Sequence, residues 1–258
     1  QGWDAAVIPG TDPHGSEYLP ERWQQRKWIS GFTGSFGTVV VTHTHAGLWT
    51  DTRYFIQARK ELEGTEFELH PLRVPDAVDY PQWLAASLPA GSVTCIDGEC
   101  MTYRQVMALH QSVRANAGSV VDRPSYLDDI GRDKPPLPLS PVFVLEPKYC
   151  GRETEEKIQW LRRELFNGDC SHILLSGLDQ IAWLFNIRSH DIPYNPVAIA
   201  YALVDSHNAT LFIREAKVGD SVKKTLRAQG VDIAPYESLK ATLESISPDS
   251  VFMADGDT

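Results

Sequence analysis

The sequence has no long apolar run. No stretch reaches the length needed to cross a bilayer, and no signal peptide is visible at its start. A basic surplus is missing too: Lys and Arg number 24 against 34 Asp and Glu, a formal charge of −10. This argues against a dominant basic face, so nucleic acid is not an expected partner, and the lack of an apolar span removes the membrane from the expected partners as well. Cysteines are few and scattered. Cys95, Cys100, Cys150 and Cys170 form no CxxC pair, and no histidine spacing resembles a zinc site. Free, mostly buried thiols in a reducing compartment are expected, with a Cys95–Cys100 disulfide as the alternative. The familiar catalytic signatures are also missing. There is no GxSxG elbow, no HExxH helix and no GxGxxG. GFTGSFG (residues 31–37) has the wrong spacing for the last, and no GKT or GKS follows it.

What is present is enough apolar content, 42% of 258 residues, for about two ordinary domains. Composition shifts at residues 128–141, DDIGRDKPPLPLSP, which read as a semi-rigid proline-rich connector. The expected domains are therefore 1–127 and 142–258. Before the connector, strands are expected at 38–42 (TVVVT) and 47–50 (GLWT), with helices at 19–29, 54–62, 80–88 and 103–116. After it, helices are expected at 153–166 and 220–229, and an apolar strand at 197–204. The halves share one grammar: a helix with a Trp, a polar corner, a strand, a His-containing turn (HTHA or DSHN) and a second strand. The offset from Trp28 to Trp183 nearly matches that from Gly47 to Thr210. Two tandem α/β domains of one fold follow, each a mixed sheet flanked by helices; chance likeness of two generic α/β units is the alternative.

The densest stretch is residues 178–201, LDQIAWLFNIRSHDIPYNPVAIAY. It opens as an amphipathic helix that Asp179 is placed to cap, then crosses a polar corner, SHDIPYNP, stiffened by Pro193 and Pro196. The corner holds His190, Asp191, Tyr194 and Asn195. It reads either as satisfied turn residues or as a surface built to face another body, with His190 and Asp191 as a possible acid–base couple. Arg53, in LWTDTRY, reads either as a structural ion pair or as a cation projecting past the strand end toward a carboxylate or carbonyl. His14 and Glu17 read as turn and surface residues, and His43 and His45 as solvated hairpin residues. The tryptophans are expected mostly in the core, with Trp3 and Trp23 partly exposed. Asp51, Asp97, Asp179 and Asp191 are the acids that a metal nuclease would need, but they are split between the halves. No self-sufficient active site emerges from the residues alone.

At this point the chain resembles a known family. IPGTDPHGSEY, RKWISGFTGSFGTVVVT, LWTDTRYFIQA, PPLPLSPVFVL, GRETEEKIQWLR and LDQIAWLFNIRSHDIPYNPVAIAYALV are similar to the N-terminal part of Xaa-Pro aminopeptidases. The resemblance is to the three-domain, cytosolic-type branch of the creatinase/prolidase metallopeptidases. It implies two creatinase-type, RNase-H-like domains and a cytoplasmic, dimeric enzyme acting on peptides. It places the chemistry in a third, C-terminal pita-bread domain, where two Asp, a His and two Glu hold a dinuclear metal, usually manganese. The metal-bound hydroxide there cleaves before a penultimate proline. No such motif occurs in this sequence, so no catalytic or metal residue and no cofactor carries over. The start at Gln1 and the stop after a second domain read as a fragment expected to be inactive alone.

Three positions carry over with departures. Arg53 matches the arginine of the family's WTDGRY, which assists on the substrate side, but Thr52 stands where Gly is usual. Glu153 stands where a capping Ser is frequent. Ser189 and His190 replace Gly-Ser in the family's RGSDIPYNP, a corner that the resemblance assigns to interdomain packing and access control through His190, Asp191, Tyr194 and Asn195. The competing readings are a non-catalytic binding or scaffold protein with creatinase-type domains, and a related creatinase or prolidase.

Overall fold

The structure, a computed structural model, describes residues 2–256. The chain divides into two units, the first running to Pro136 and the second spanning Leu137–Asp255.

In the first unit, β1 (Ala5–Ile8) pairs antiparallel with β2 (Thr38–Thr42), and β2 with β3 (Ala46–Thr50). β3 then runs parallel to β4 (Phe67–Pro71), and β1 to β5 (Val93–Ile96), which pairs in parallel with β6 (Ser119–Asp122). The order is β4-β3-β2-β1-β5-β6. Alternation along the strands feeds two cores. Val7, Val40, Trp49 and Ile96 face a cluster with Leu84 of α3 (Tyr80–Ser87) and Leu109 of α4 (Tyr103–Arg114). Ile8, Val39, Leu48 and Cys95 face Phe32 and Ala58, the latter on α2 (Phe55–Glu61). Thr102 and Gln105 form a capping box at the start of α4.

In the second unit, β8 (His172–Leu175) pairs antiparallel with β10 (Ala200–Asp205), and β10 with β11 (Ala209–Ile213). β12 (Asp232–Ala234) runs parallel to β11, and β13 (Phe252–Met253) to β8. A separate small pair joins β7 (Phe143–Val144) to β9 (Ile187–Arg188). The helices are α5 (Pro147–Cys150), α6 (Thr154–Asn167), α7 (Leu178–Leu184), α8 (Asp220–Ala228) and α9 (Leu239–Glu244).

The order β12-β11-β10-β8-β13 reproduces β4-β3-β2-β1-β5 strand for strand, with every parallel and antiparallel pairing kept. Both units are thus mixed α/β with one sheet topology. β10, at the centre, buries residues on both faces, as its apolar run demands.

Several local expectations are corrected. The helix expected over 19–29 is a 3-10 turn, Glu21–Trp23, followed by α1 (Gln25–Ser30), because Gln24 leaves helical geometry between them. The strand expected from Val197 begins only at Ala200: Ile199 gives its N–H to the Asp191 carboxylate instead of a neighbouring strand. Asp179 does not cap α7. Gly177 is the N-cap, and Asp179 sits within the first turn, where its charge still suits the helix dipole. Glu153 is the N-cap of α6 but makes no side-chain cap bond. Trp23 is buried, while Trp28, Trp160 and Trp183 are exposed. The four cysteines are free, Cys95 and Cys100 buried and the other two half-buried. Burial pushes the Cys95 thiol up to about 11 and Cys100 higher than the usual thiol range, which leaves both unreactive.

Candidate functional site

The glycine-rich loop does not cradle a phosphate. It wraps a buried arginine. Arg26, on α1, donates from Nη1 to the Gly37 carbonyl at 2.9 Å and from Nη2 to the Gly34 carbonyl. Its guanidinium lies over Phe32, 5.1 Å from the ring centroid. Gly10 leaves the space for it: a Cβ there would fall 2.0 Å from Arg26 Nη1. Gly34 is equally fixed, since a Cβ would meet Phe32 at 2.3 Å and Tyr54 at 2.7 Å. Burial pulls Arg26 down to about 10, still charged at neutral pH.

This loop presents Ser35 and Phe36 beside the end of β3. Ser35 Oγ and Tyr54 Oη are hydrogen-bonded at 2.7 Å. Phe36 lies under two guanidinium groups, Arg53 at 5.7 Å and Arg73 at 5.3 Å from its centroid. Both arginines converge on Asp51, which is 1% exposed. Arg53 Nε donates to Asp51 Oδ1 at 3.0 Å and Nη2 to Oδ2 at 3.1 Å, and Arg73 Nη1 lies 3.2 Å from Oδ2. The hydrogen bond from Arg53 holds the Asp51 carboxyl below the usual range, and the same bond raises Arg53. Thr52, in the place of a family glycine, is not among the residues with positive φ, so its side chain introduces no strain there.

Arg53 is therefore both things the sequence allowed: half of an ion pair, and a cation with 54% of its side chain exposed. It lines a cleft of about 490 Å³ with Gly10, Glu17, Phe36, Trp49 and Tyr80. The cleft combines an aromatic floor with one fixed guanidinium, a setting suited to a carboxylate or carbonyl. Glu17 is exposed and contributes attraction to Arg53. His14 is corrected: it is 2% exposed, with its ring edge-on to Trp23. It follows Asp12, whose Oδ1 accepts from the N–H groups of His14 and Ser16 and folds the turn inward.

In the second unit, the corner is organised by Asp191. Its Oδ2 accepts from the Ile199 N–H at 2.8 Å and from the Lys217 ammonium. Both side chains of this ion pair are sealed from water. Ser189 Oγ donates to the Ser140 carbonyl at 3.0 Å, and Ser140 Oγ donates to the His190 carbonyl at 3.0 Å. Asn195 bridges back to Ile192. His190 is exposed, with its ring 5.9 Å from that of Phe143, and it makes no couple with Asp191, whose Oδ2 serves Lys217 and Ile199 and whose Oδ1 lies 3.5 Å from Ser189 Oγ. Tyr194 stands fully exposed at φ 63°, a left-handed conformation that a tyrosine seldom adopts. The corner is thus rigid beneath and presents Tyr194 and His190 outward.

Asp51 and Asp191 are spent on basic partners. Asp97 accepts from the Ser125 N–H, and Asp179 is exposed on α7. The sequence reading missed Arg26, Arg73 and Lys217. No local signal marks Arg26 or Lys217, which sit among polar neighbours in WQQRKW and REAKVGD. Lys157 was missed in the same way: 1% exposed, it donates to the Trp183 carbonyl and to Asn186 Oδ1. Asn186 itself has φ 54°, the left-handed step that ends α7.

Comparison with known proteins places both units. The Creatinase/Prolidase N-terminal domain family matches residues 1–129 and, through a second family model of that description, residues 133–258. A probable Xaa-Pro aminopeptidase P of Pyricularia oryzae is 39% identical over 239 residues, covering 92% of this chain and 38% of the relative. A counterpart in Aspergillus niger is 37% identical over 246 residues, covering 95% and 40%. Among solved structures, X-prolyl aminopeptidase from Caenorhabditis elegans, described as a cytosolic enzyme with a di-nuclear active site, superimposes with a TM-score of 0.89. It shares 34% identity over 98% of this chain and 42% of its own. The chain spans about two-fifths of the length of these relatives.

Proposed function

The chain belongs to the creatinase/prolidase N-terminal domain family, and on that premise we propose that it forms the two non-catalytic N-terminal domains of a metal-dependent Xaa-Pro aminopeptidase. The whole protein would release an N-terminal residue ahead of a penultimate proline. In it these domains would restrict access to short peptides and support a cytoplasmic homodimer. The observation that carries this reading is the likeness to an X-prolyl aminopeptidase across both units at once, at a TM-score of 0.89.

A dinuclear centre built from two Asp, a His and two Glu does not fit the described residues of this chain. Among the described residues the one group of three possible ligands is His45, Glu68 and His70, with a single carboxylate. The dinuclear metal, with manganese as its proposed identity, is therefore assigned to the remainder of the longer protein, and no step is routed through it here. What this chain contributes is positioning. Arg53, braced by Asp51 and Phe36, would hold a carboxylate or carbonyl of the peptide. The corner carrying His190, Asp191, Tyr194 and Asn195 would pack against the catalytic domain and narrow the entrance. No described helix is long and apolar enough to cross a membrane.

Two measurements test this. The 258-residue chain with added manganese is expected to release nothing from an Xaa-Pro-Pro peptide; measurable release refutes the reading. In the longer enzyme, Arg53→Ala is expected to raise KM about tenfold or more, since hydrogen bonds to charged groups are worth about 1.5–3 kcal/mol. Arg73 remains to neutralise Asp51, so the melting temperature should hold. An unchanged KM removes Arg53 from substrate binding.

A further inference from the structure

We propose that His45, Glu68 and His70 form a binding site for one divalent transition-metal ion, of which zinc is the representative, at the edge of the first sheet. Their ligand atoms all lie within 4.8 Å of one another. The sheet brings them together. β4 is an edge strand and runs parallel to β3, with Gly47 opposite Glu68 and Trp49 opposite His70. Side chains two apart along a strand share a face, which puts 45, 47, 49, 68 and 70 together. His45 was expected to be a solvated hairpin residue. It is instead half-buried, its ring 4.7 Å from that of Trp83 and 5.0 Å from that of His70.

Three features are better suited to a bound cation than to chance contact. First, the two Nε2 atoms face each other at 2.9 Å. Two imidazole lone pairs at that distance require something between them, either a proton or a metal ion. Zinc–nitrogen bonds of about 2.0–2.1 Å at a tetrahedral angle put two such nitrogens about 3.3 Å apart, so a small ring movement admits the ion. Second, a shared proton needs no third partner, yet a Glu68 carboxylate oxygen lies within 4.8 Å of a ring nitrogen of each histidine. Two imidazoles and a carboxylate make a three-ligand set that leaves one position for water. Third, the space is kept open by a glycine. A Cβ at Gly47 would lie 2.8 Å from His45 Nε2, 2.8 Å from His70 Cδ2 and 2.6 Å from Trp49. Trp49 stacks on His70 at 3.9 Å with rings 10° apart, which fixes the plane in which its nitrogen points. The ion would tie edge strand β4 to the hairpin of β2 and β3. The sequence hides this set because its members lie 25 positions apart and meet only through strand pairing.

The test titrates the untagged 258-residue chain with zinc chloride by calorimetry at neutral pH. One equivalent should bind to the wild type and to the His43→Gln control. Binding should be lost in His45→Gln and in His70→Gln, and weakened about tenfold or more in Glu68→Gln. Zinc should raise the melting temperature of the wild type alone among the wild type, His45→Gln and His70→Gln. Zinc-edge X-ray absorption of the wild-type complex needs no variant and should show two imidazoles. Absence of saturable binding, equal binding in the His45→Gln/His70→Gln double variant, or a shell of water or thiolate alone overturns the proposal and leaves the pair as a neutral hydrogen bond between opposite tautomers.

Discussion

Asp191→Ala is expected to destabilise the second unit by about 3–5 kcal/mol, the cost of leaving a buried cation without its partner. Lys217 would keep an ammonium sealed from water, and the Ile199 N–H would lose its acceptor. The wild-type pair is not itself a large source of stability. Burial pulls Lys217 below its ordinary value even though Asp191 pushes it up, so desolvation outweighs the attraction. The pair's value is geometric: it holds the end of the corner against the entry to β10. The double variant Asp191→Leu/Lys217→Met should therefore be more stable than Asp191→Ala, short of wild type by about 1–3 kcal/mol for the orphaned Ile199 N–H. Urea unfolding measures both. An Asp191→Ala loss under about 1 kcal/mol, or a double variant no better than the single, would show that water reaches Lys217 and that the corner is not pinned in this way.

The same corner shows what was legible in the sequence and what was not. TVVVT and GLWT were readable as β2 and most of β3 because their apolar residues sit between turn residues and their partners lie next to them in the chain. The repeat was readable because the hairpin after each Trp-bearing helix is local, and the shared strand order bears it out. The buried cations were hidden because their partners are distant. Lys217 meets Asp191 from 26 positions away, and Lys157 meets Asn186 from 29. Nothing local separates such a lysine from a solvated one. Trp183 misled in the opposite direction. It lies outside the core with Trp160 edge-on and the Lys157 ammonium 4.6 Å from its ring, so its apolar surface is used without being buried. Arg53 was found through its motif, but its brace was not. Arg73 comes from beyond β4, where its backbone is left-handed at φ 59°, and meets Asp51 from 22 positions away.

Arg26→Met is expected to cost about 3 kcal/mol or more, and to do so through the glycine loop. The Gly34 and Gly37 residues are buried, and each of their carbonyls would lose a charged donor, at about 1–3 kcal/mol apiece. Methionine fills some of the volume beside Phe32 but cannot donate. Arg26→Lys should recover part of the loss, because one ammonium lacks the fork that spans both carbonyls. Gly10→Ala should fail comparably, since its Cβ would stand 2.0 Å from Arg26 Nη1 and force the guanidinium out. The consequence extends past stability. The segment that Arg26 holds includes Phe36, the ring beneath Arg53 and Arg73, and Ser35, the partner of Tyr54. A loosened loop frees Arg53 from its aromatic support while leaving its bond to Asp51. In the longer enzyme Arg26→Lys should therefore raise KM for an Xaa-Pro-Pro peptide in the same direction as Arg53→Ala, and the two changes combined should be less than additive. Full additivity would mean that the loop and Arg53 act independently, and that the buried arginine serves the fold alone.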